Sequence, residues 1–142
     1  MPVQWTPDLA VGVSEIDDQH RGLFEKANTL VSTLDTFAEP DEEVRDRIEE
    51  ALGALAEAVV RHFATEEKYM TRLRCPEYAA HRDLHESFID DFASLKKDIE
   101  RRAPAACCAA EIVERVLGWF AEHIADSDRR LGAFLNGKLR AA

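Results

Sequence analysis

Apolar residues recur along this chain at intervals of three and four, in four separate stretches. Leu23, Phe24, Ala27, Leu30, Val31 and Leu34 form the first stripe, and His20 extends it toward the N-terminus. Val44, Ile48, Leu52, Leu55, Val59, His62, Glu66 and Met70 form the second. His81, Leu84, His85, Phe88, Phe92, Leu95 and Ile99 form the third. Ile112, Val116, Trp119, Phe120 and His123 form the fourth, which Ile124, Asp128, Leu131 and Leu135 continue. Each stripe predicts an amphipathic helix with one buried face. Pro40-Asp41 suits the start of the second helix, Cys75-Pro76 interrupts before the third, and Pro104 interrupts before the fourth. Such short connections make successive helices antiparallel. The expectation is an all-α, up-down-up-down four-helix bundle over residues 15–138. Residues 1–14 carry Pro2, Pro7 and Gly12 without a helical period and predict an extended N-terminal arm, with Trp5 as its anchor. A chain of 142 residues is enough for a single domain spanning 1–142.

Composition narrows the picture. Hydrophobic residues make up 46%, which marks a globular chain. A formal net charge of −10 argues against nucleic-acid partners, which require a basic face, and favours a soluble monomer. The first twenty residues lack the basic start and apolar run of a signal peptide, and no stretch is apolar enough to span a bilayer, so a cytoplasmic location away from membranes is expected. Cys75, Cys107 and Cys108 are an odd number without C-x-x-C spacing, which predicts neither a disulfide framework nor a zinc ribbon. The vicinal pair reads as incidental. The charge runs at 41–50 and 96–102 read as solvated helix faces.

The candidate chemistry lies inside the stripes. All five histidines, His20, His62, His81, His85 and His123, fall on them, joined by Glu66 four residues after His62 and Asp128 five after His123. A lone histidine on an apolar face is usually a core residue satisfied by a hydrogen bond. Seven such residues together are different. Burying five unpaired imidazoles and two carboxylates would cost several kcal/mol in total, a penalty that ligation of metal removes. In an up-down-up-down bundle the seven positions also come to the same end. Glu67 and Asp126, beside the candidate carboxylates, read as exposed residues. The His123–Asp128 spacing is irregular. Five residues of ideal α-helix overshoot one turn by about 140°, so either a π-bulge restores the alignment or the carboxylate reaches across the bundle.

Counting donors points to two ions. Five imidazoles give five bonds, two bridging carboxylates give four, and one shared oxo or hydroxo group gives two. Two octahedral ions offer about twelve positions, so about one stays open. An open position on a redox metal suits a small exogenous ligand, and imidazole with carboxylate and no thiolate suits iron.

The run of His20, H-F-A-T-E at 62–66, H-R-D-L-H at 81–85 and H-I-A-D-S-D at 123–128 resembles the hemerythrins, particularly their single-domain bacterial form. The likeness spans nearly the whole chain. It includes the Trp5 arm, V-G-V-S-E-I-D-D-Q-H before the first candidate ligand, the Glu66-Glu67 pair and W-F-A-E-H-I at 119–124. It implies two non-haem iron ions with an oxo or hydroxo bridge. His81, His85 and His123 would hold one, His20 and His62 the other with an empty position, and Glu66 and Asp128 would bridge. It implies reversible dioxygen binding for storage, transport or local delivery, with Ile124 and Trp119 walling a dry pocket. Leu131 departs from family members that carry an aromatic residue one turn past the bridging Asp. An oxygen or redox sensor acting through an unidentified protein client, and an enzyme turning over peroxide or nitric oxide, are the alternatives. The histidine-rich donor set favours holding dioxygen over cleaving it, because bundle oxidases use more carboxylates and Glu-x-x-His pairs.

Overall fold

The computed structural model describes residues 4–36, 41–101 and 107–141. Among these residues there are helices and no strands. Helix α1 spans Ser14–Thr36, α2 Glu42–Arg72 and α3 Tyr78–Arg101. The fourth, α4, is one helical run over residues 107–141. Its α-helical stretches, Cys107–Ile112, Trp119–His123 and Arg129–Ala141, alternate with π-helical stretches at Val113–Gly118 and Ile124–Asp128. A short 3-10 turn at Pro7–Leu9 precedes α1.

Each boundary has a local cause. Asp41 caps α2 by accepting the Val44 N–H at 2.9 Å, satisfying a donor the helix leaves unpaired. At the other end Arg74 adopts a left-handed conformation (φ 55°), and the Cys75 N–H donates to the Met70 carbonyl at 2.8 Å. That is a left-handed helix stop built on a residue other than glycine. Cys75-Pro76 then turns the chain into α3. Pro2, Pro40 and Pro104 lie outside the described residues, as do the side chains of Cys107 and Cys108.

The stripes read from the sequence are buried almost throughout. Ile16, Leu34, Ile48, Leu52, Ile99 and Ile112 lie in the centre of the core. Leu84 is the exception, 43% exposed. The axis of His81, His85, Phe88, Phe92, Leu95 and Ile99 sets the inward face of α3, and Leu84 projects about 60° off that axis. Trp119 is half-buried, packed against the core. The charge-rich segment 41–50 is exposed apart from Val44 and Ile48, as a solvated face requires.

The arm packs tightly onto the bundle. Val11 and Val13 are buried. The buried Asp17 carboxylate on α1 accepts the Val11 N–H at 2.8 Å and the Gly12 N–H at 3.2 Å, folding the arm back over the start of that helix. Gly12 takes a positive φ of 87° to make this turn. The Arg129 guanidinium donates to the Asp8 carbonyl, and the Arg21 guanidinium lies over the Trp5 ring at 4.4 Å. These contacts tie α1 to α4 close to His20 and Asp128.

The closest approach is at Gly132, where a Cβ would stand 2.1 Å from the Val11 carbonyl oxygen. Helix propensity alone would make Gly132→Ala stabilising by up to about 1 kcal/mol. The clash reverses the sign, and we expect destabilisation of about 1–3 kcal/mol in equilibrium denaturation. A variant more stable than the parent would show that the arm does not pack on α4 in this way.

Candidate metal centre

Seven side chains meet in one layer of the bundle. His20 comes from the second turn of α1, His62 and Glu66 from the last turns of α2, His81 and His85 from the first turns of α3, and His123 and Asp128 from α4. All are buried, none more than 6% exposed. The π-helical stretch Ile124–Asp128 resolves the irregular spacing on α4. Hydrogen bonding from i to i+5 widens the turn and brings Asp128 back toward the face of His123. Asp126 instead points outward and pairs with the exposed Arg130.

The donor atoms sort into two groups. Glu66, His81, His85, His123 and Asp128 form one, and His20, His62, Glu66 and Asp128 the other. Within each, one donor atom per residue lies within 4.8 Å of all the others. The carboxylates belong to both groups because their two oxygens face opposite ways. Glu66 Oε1 is 3.0 Å from His85 Nε2 and 3.4 Å from His81 Nε2, while its Oε2 is 3.2 Å from His62 Nε2 and 3.5 Å from His20 Nε2. Asp128 Oδ1 is 3.0 Å from His81 Nε2 and 3.1 Å from His123 Nε2, while its Oδ2 is 3.0 Å from His20 Nε2.

None of these inward atoms makes a hydrogen bond among the described residues. All five Nε2 atoms and all four carboxylate oxygens are buried and unpartnered. The distances suit hydrogen bonds but the angles do not. Two donors about 2.1 Å from a common cation and at right angles stand about 3.0 Å apart, so the spacing is that of neighbouring ligands around an ion. Cys75 is buried but belongs to neither group.

Two rings are held from behind. Gln19 Oε1 lies 2.7 Å from His62 Nδ1, and Glu67 Oε2 lies 3.0 Å from His85 Nδ1. Proton-bearing Nδ1 atoms there make Nε2 the nitrogen that faces inward and could bind a cation. Glu67 thus corrects its reading as a purely exposed residue, since its carboxylate, 27% exposed, points back to a buried imidazole. The helical pattern gave Gln19 no role either. The signal available was adjacency, because each residue neighbours a candidate ligand in sequence and stands on the edge of a buried face. Aromatic rings close the layer. Phe63 stacks on His85 at 3.8 Å and 5°, Trp119 stacks on His123 at 4.5 Å and 13°, and Phe120 and Phe88 pack behind them.

The metal-free electrostatics are those of a proton-filled cavity. Burial disfavours the charged form of His20 and of His81, but the Asp128 and Glu66 carboxylates outweigh it and raise both imidazoles to about 9. Burial alone would raise Glu66, yet the imidazoles, His62 foremost, hold it well below the usual carboxylate range. Burial and the Glu66 charge push Asp128 upward, and His123, His20 and His81 overcome both and hold it below that range.

A family model described as the hemerythrin HHE cation binding domain matches residues 11–135. The chain is 30% identical to a bacteriohemerythrin of Clostridium acetobutylicum over 126 residues, 88% of this chain and 95% of that protein. It is also 30% identical to a bacteriohemerythrin of Methylococcus capsulatus, over 93% of this chain and 95% of that protein. The structure is similar to a crystal structure of a hemerythrin point mutant, with a TM-score of 0.74 and 27% identity, covering 95% of this chain and 98% of the other.

The raised imidazoles set a pH dependence. Folded-state values above the ordinary 6.5 mean that protonation of His20 and His81 stabilises the metal-free protein below that pH, and that this contribution fades as pH rises through about 9. A divalent cation must displace the same protons. Loading metal-free protein with ferrous iron under anaerobic conditions at pH 7.5 should therefore release on the order of two protons or more per chain, measured by pH-stat, with apparent affinity climbing toward pH 9. Uptake without proton release would show that the cation binds elsewhere.

Proposed function

The chain belongs to the hemerythrin family, and from that premise we propose that it binds dioxygen reversibly, for storage, transport or local delivery. The site is a non-haem di-iron centre, bridged by an oxo or hydroxo group and held by His20, His62, Glu66, His81, His85, His123 and Asp128. The observation that carries the reading is the sorting of unpartnered buried donors into two groups that share both carboxylates. When bound, a pair of ferrous ions supplies the two electrons that dioxygen takes up and gives back.

The chain's own residues explain why such a site holds rather than transforms its ligand. One group offers three nitrogens and two oxygens, the other two nitrogens and two oxygens. With one shared bridging group, the first set would complete the six places of an octahedral ion and the second would leave its ion one donor short. A small exogenous ligand fits that gap, beside His20 and His62. Glu66 and Asp128, each with one oxygen toward either group, would hold both ions. The fully buried Ile124 and the rings of Phe63, Trp119 and Phe120 keep water and protons from the layer. Leu131, one turn beyond Asp128, is buried and apolar as well. Five imidazoles against two carboxylates also give a donor set poorer in negative charge than those of oxygen-cleaving bundle enzymes, which supports a carrier over a catalyst. No helix among the described residues is long and apolar enough to cross a membrane.

Purified protein should contain about two irons per chain. Reduced anaerobically and then exposed to oxygen, it should develop a visible absorption band that disappears when oxygen is removed. His81→Ala or Glu66→Ala should lose at least one iron. A band that never reverses, or steady oxygen consumption with a reductant, would replace the carrier with an enzyme. Retention of both irons by both variants would overturn the ligand assignment.

A further inference from the structure

The two halves of the centre differ in what stands behind their imidazoles. On the three-histidine side, His85 Nδ1 faces the Glu67 carboxylate at 3.0 Å, the ring of His123 is held by its parallel stack with Trp119, and His81 has no Nδ1 hydrogen bond to a described residue. On the two-histidine side, His62 Nδ1 faces the neutral Gln19 amide at 2.7 Å, and His20 Nδ1 is buried without a hydrogen-bond partner among the described residues. Gln19 therefore makes the hydrogen bond that fixes a ring on that side.

The orientation of the Gln19 amide is itself determined. The Thr65 hydroxyl donates to the Arg61 carbonyl, one turn earlier in α2, at 3.1 Å. Its single proton is committed there, so Thr65 Oγ1 acts as the acceptor toward Gln19, whose Nε2 stands 3.1 Å away. The amide nitrogen is thereby turned to Thr65 and the amide oxygen to His62. A carbonyl oxygen only accepts, so His62 Nδ1 carries a proton and Nε2, which faces Glu66 and the cavity, is the nitrogen free to take a metal ion. A threonine at the bundle surface sets the tautomer of a buried imidazole two hydrogen bonds away.

We infer that Gln19 is the positioning residue of the iron with the open coordination place, fixing the His62 tautomer through the Thr65–Gln19–His62 relay and keeping that iron the more weakly held of the two. The inference rests on the di-iron reading and adds an asymmetry to it. A carboxylate behind an imidazole makes the ring a stronger donor and favours the higher charge on its metal, whereas a neutral amide orients the ring without that push. The ion beside His20 and His62 has fewer protein donors, and the one hydrogen-bonded ring there has a neutral rather than an anionic partner behind it. It should load second, leave first, and favour the ferrous state that dioxygen binding requires.

The test is an anaerobic ferrous iron titration of metal-free protein, with iron per chain counted after gel filtration and the fold checked by circular dichroism. Wild type, Gln19→Leu and Gln19→Glu are compared. Wild type should take up two irons in separable steps. Gln19→Leu should keep the first step and weaken the second by about tenfold to a hundredfold, the usual effect of removing such a partner. Gln19→Glu restores an acceptor to His62, so it should recover the second step while lowering the reduction potential and shortening the lifetime of the reduced form in air. Unchanged uptake of both irons by a folded Gln19→Leu, or a Gln19→Glu protein with unaltered potential, would overturn the assignment. The Gln19→Glu arm decides the matter should the leucine variant fail to fold. Wild type taking up fewer than two irons would overturn the di-iron reading itself.

Discussion

Everything distinctive about this bundle depends on mutual exposure of buried donors that satisfy nothing else. Five imidazole nitrogens and four carboxylate oxygens point at one another in a layer closed to water, without a hydrogen bond to any described residue. Unpaired polar atoms in an apolar interior cost several kcal/mol as a set, and two buried carboxylates repel. Protons relieve part of that conflict in the metal-free chain, as the raised His20 and His81 show. Cations relieve it more fully, because each can serve several donors at once. The remaining architecture then follows as means of bringing those atoms together and holding them still. Antiparallel helices deliver the donors to one end, and the arm clamps α1 to α4 beside them through Asp17 and Gly132.

The most instructive local feature is the π-helical turn at Ile124–Asp128. An α-helix would place Asp128 well away from His123. The chain gives up one residue of regularity to bring the Asp128 carboxylate to bear on both groups of donors. Such turns are costly in an isolated helix, and their occurrence at functional positions suggests that the cost is offset by what they align. The second π stretch, Val113–Gly118, precedes Trp119, which stacks on His123, and Phe120, which packs on the Phe63 ring that stacks on His85.

Much of this was legible in the sequence because helical periodicity is a local signal and the buried faces repeat it faithfully. The stripes from Leu23 to Leu34 and from Val44 to Met70 are buried at every position named. The convergence of His20, His62, Glu66, His81, His85, His123 and Asp128 followed from helix order and antiparallel connection alone. Leu84 was misplaced because three-residue spacing cannot say which edge of a stripe turns outward. The π-turn was one of two open alternatives, since spacing shows that an adjustment is needed and not which one occurs. Gln19 and Glu67 were invisible for a different reason. Their roles depend on side chains meeting across helices α1, α2 and α3, and polar residues at the margin of a buried face look the same whether they bind solvent or a ligand.

The account stands or falls on two metal ions sharing this pocket. X-ray absorption at the iron edge of the loaded protein addresses that directly. It should show a shell of nitrogen and oxygen without sulfur, and a second iron at between roughly 3 and 4 Å. An iron signal with no neighbouring metal, or with sulfur in its first shell, would contradict it.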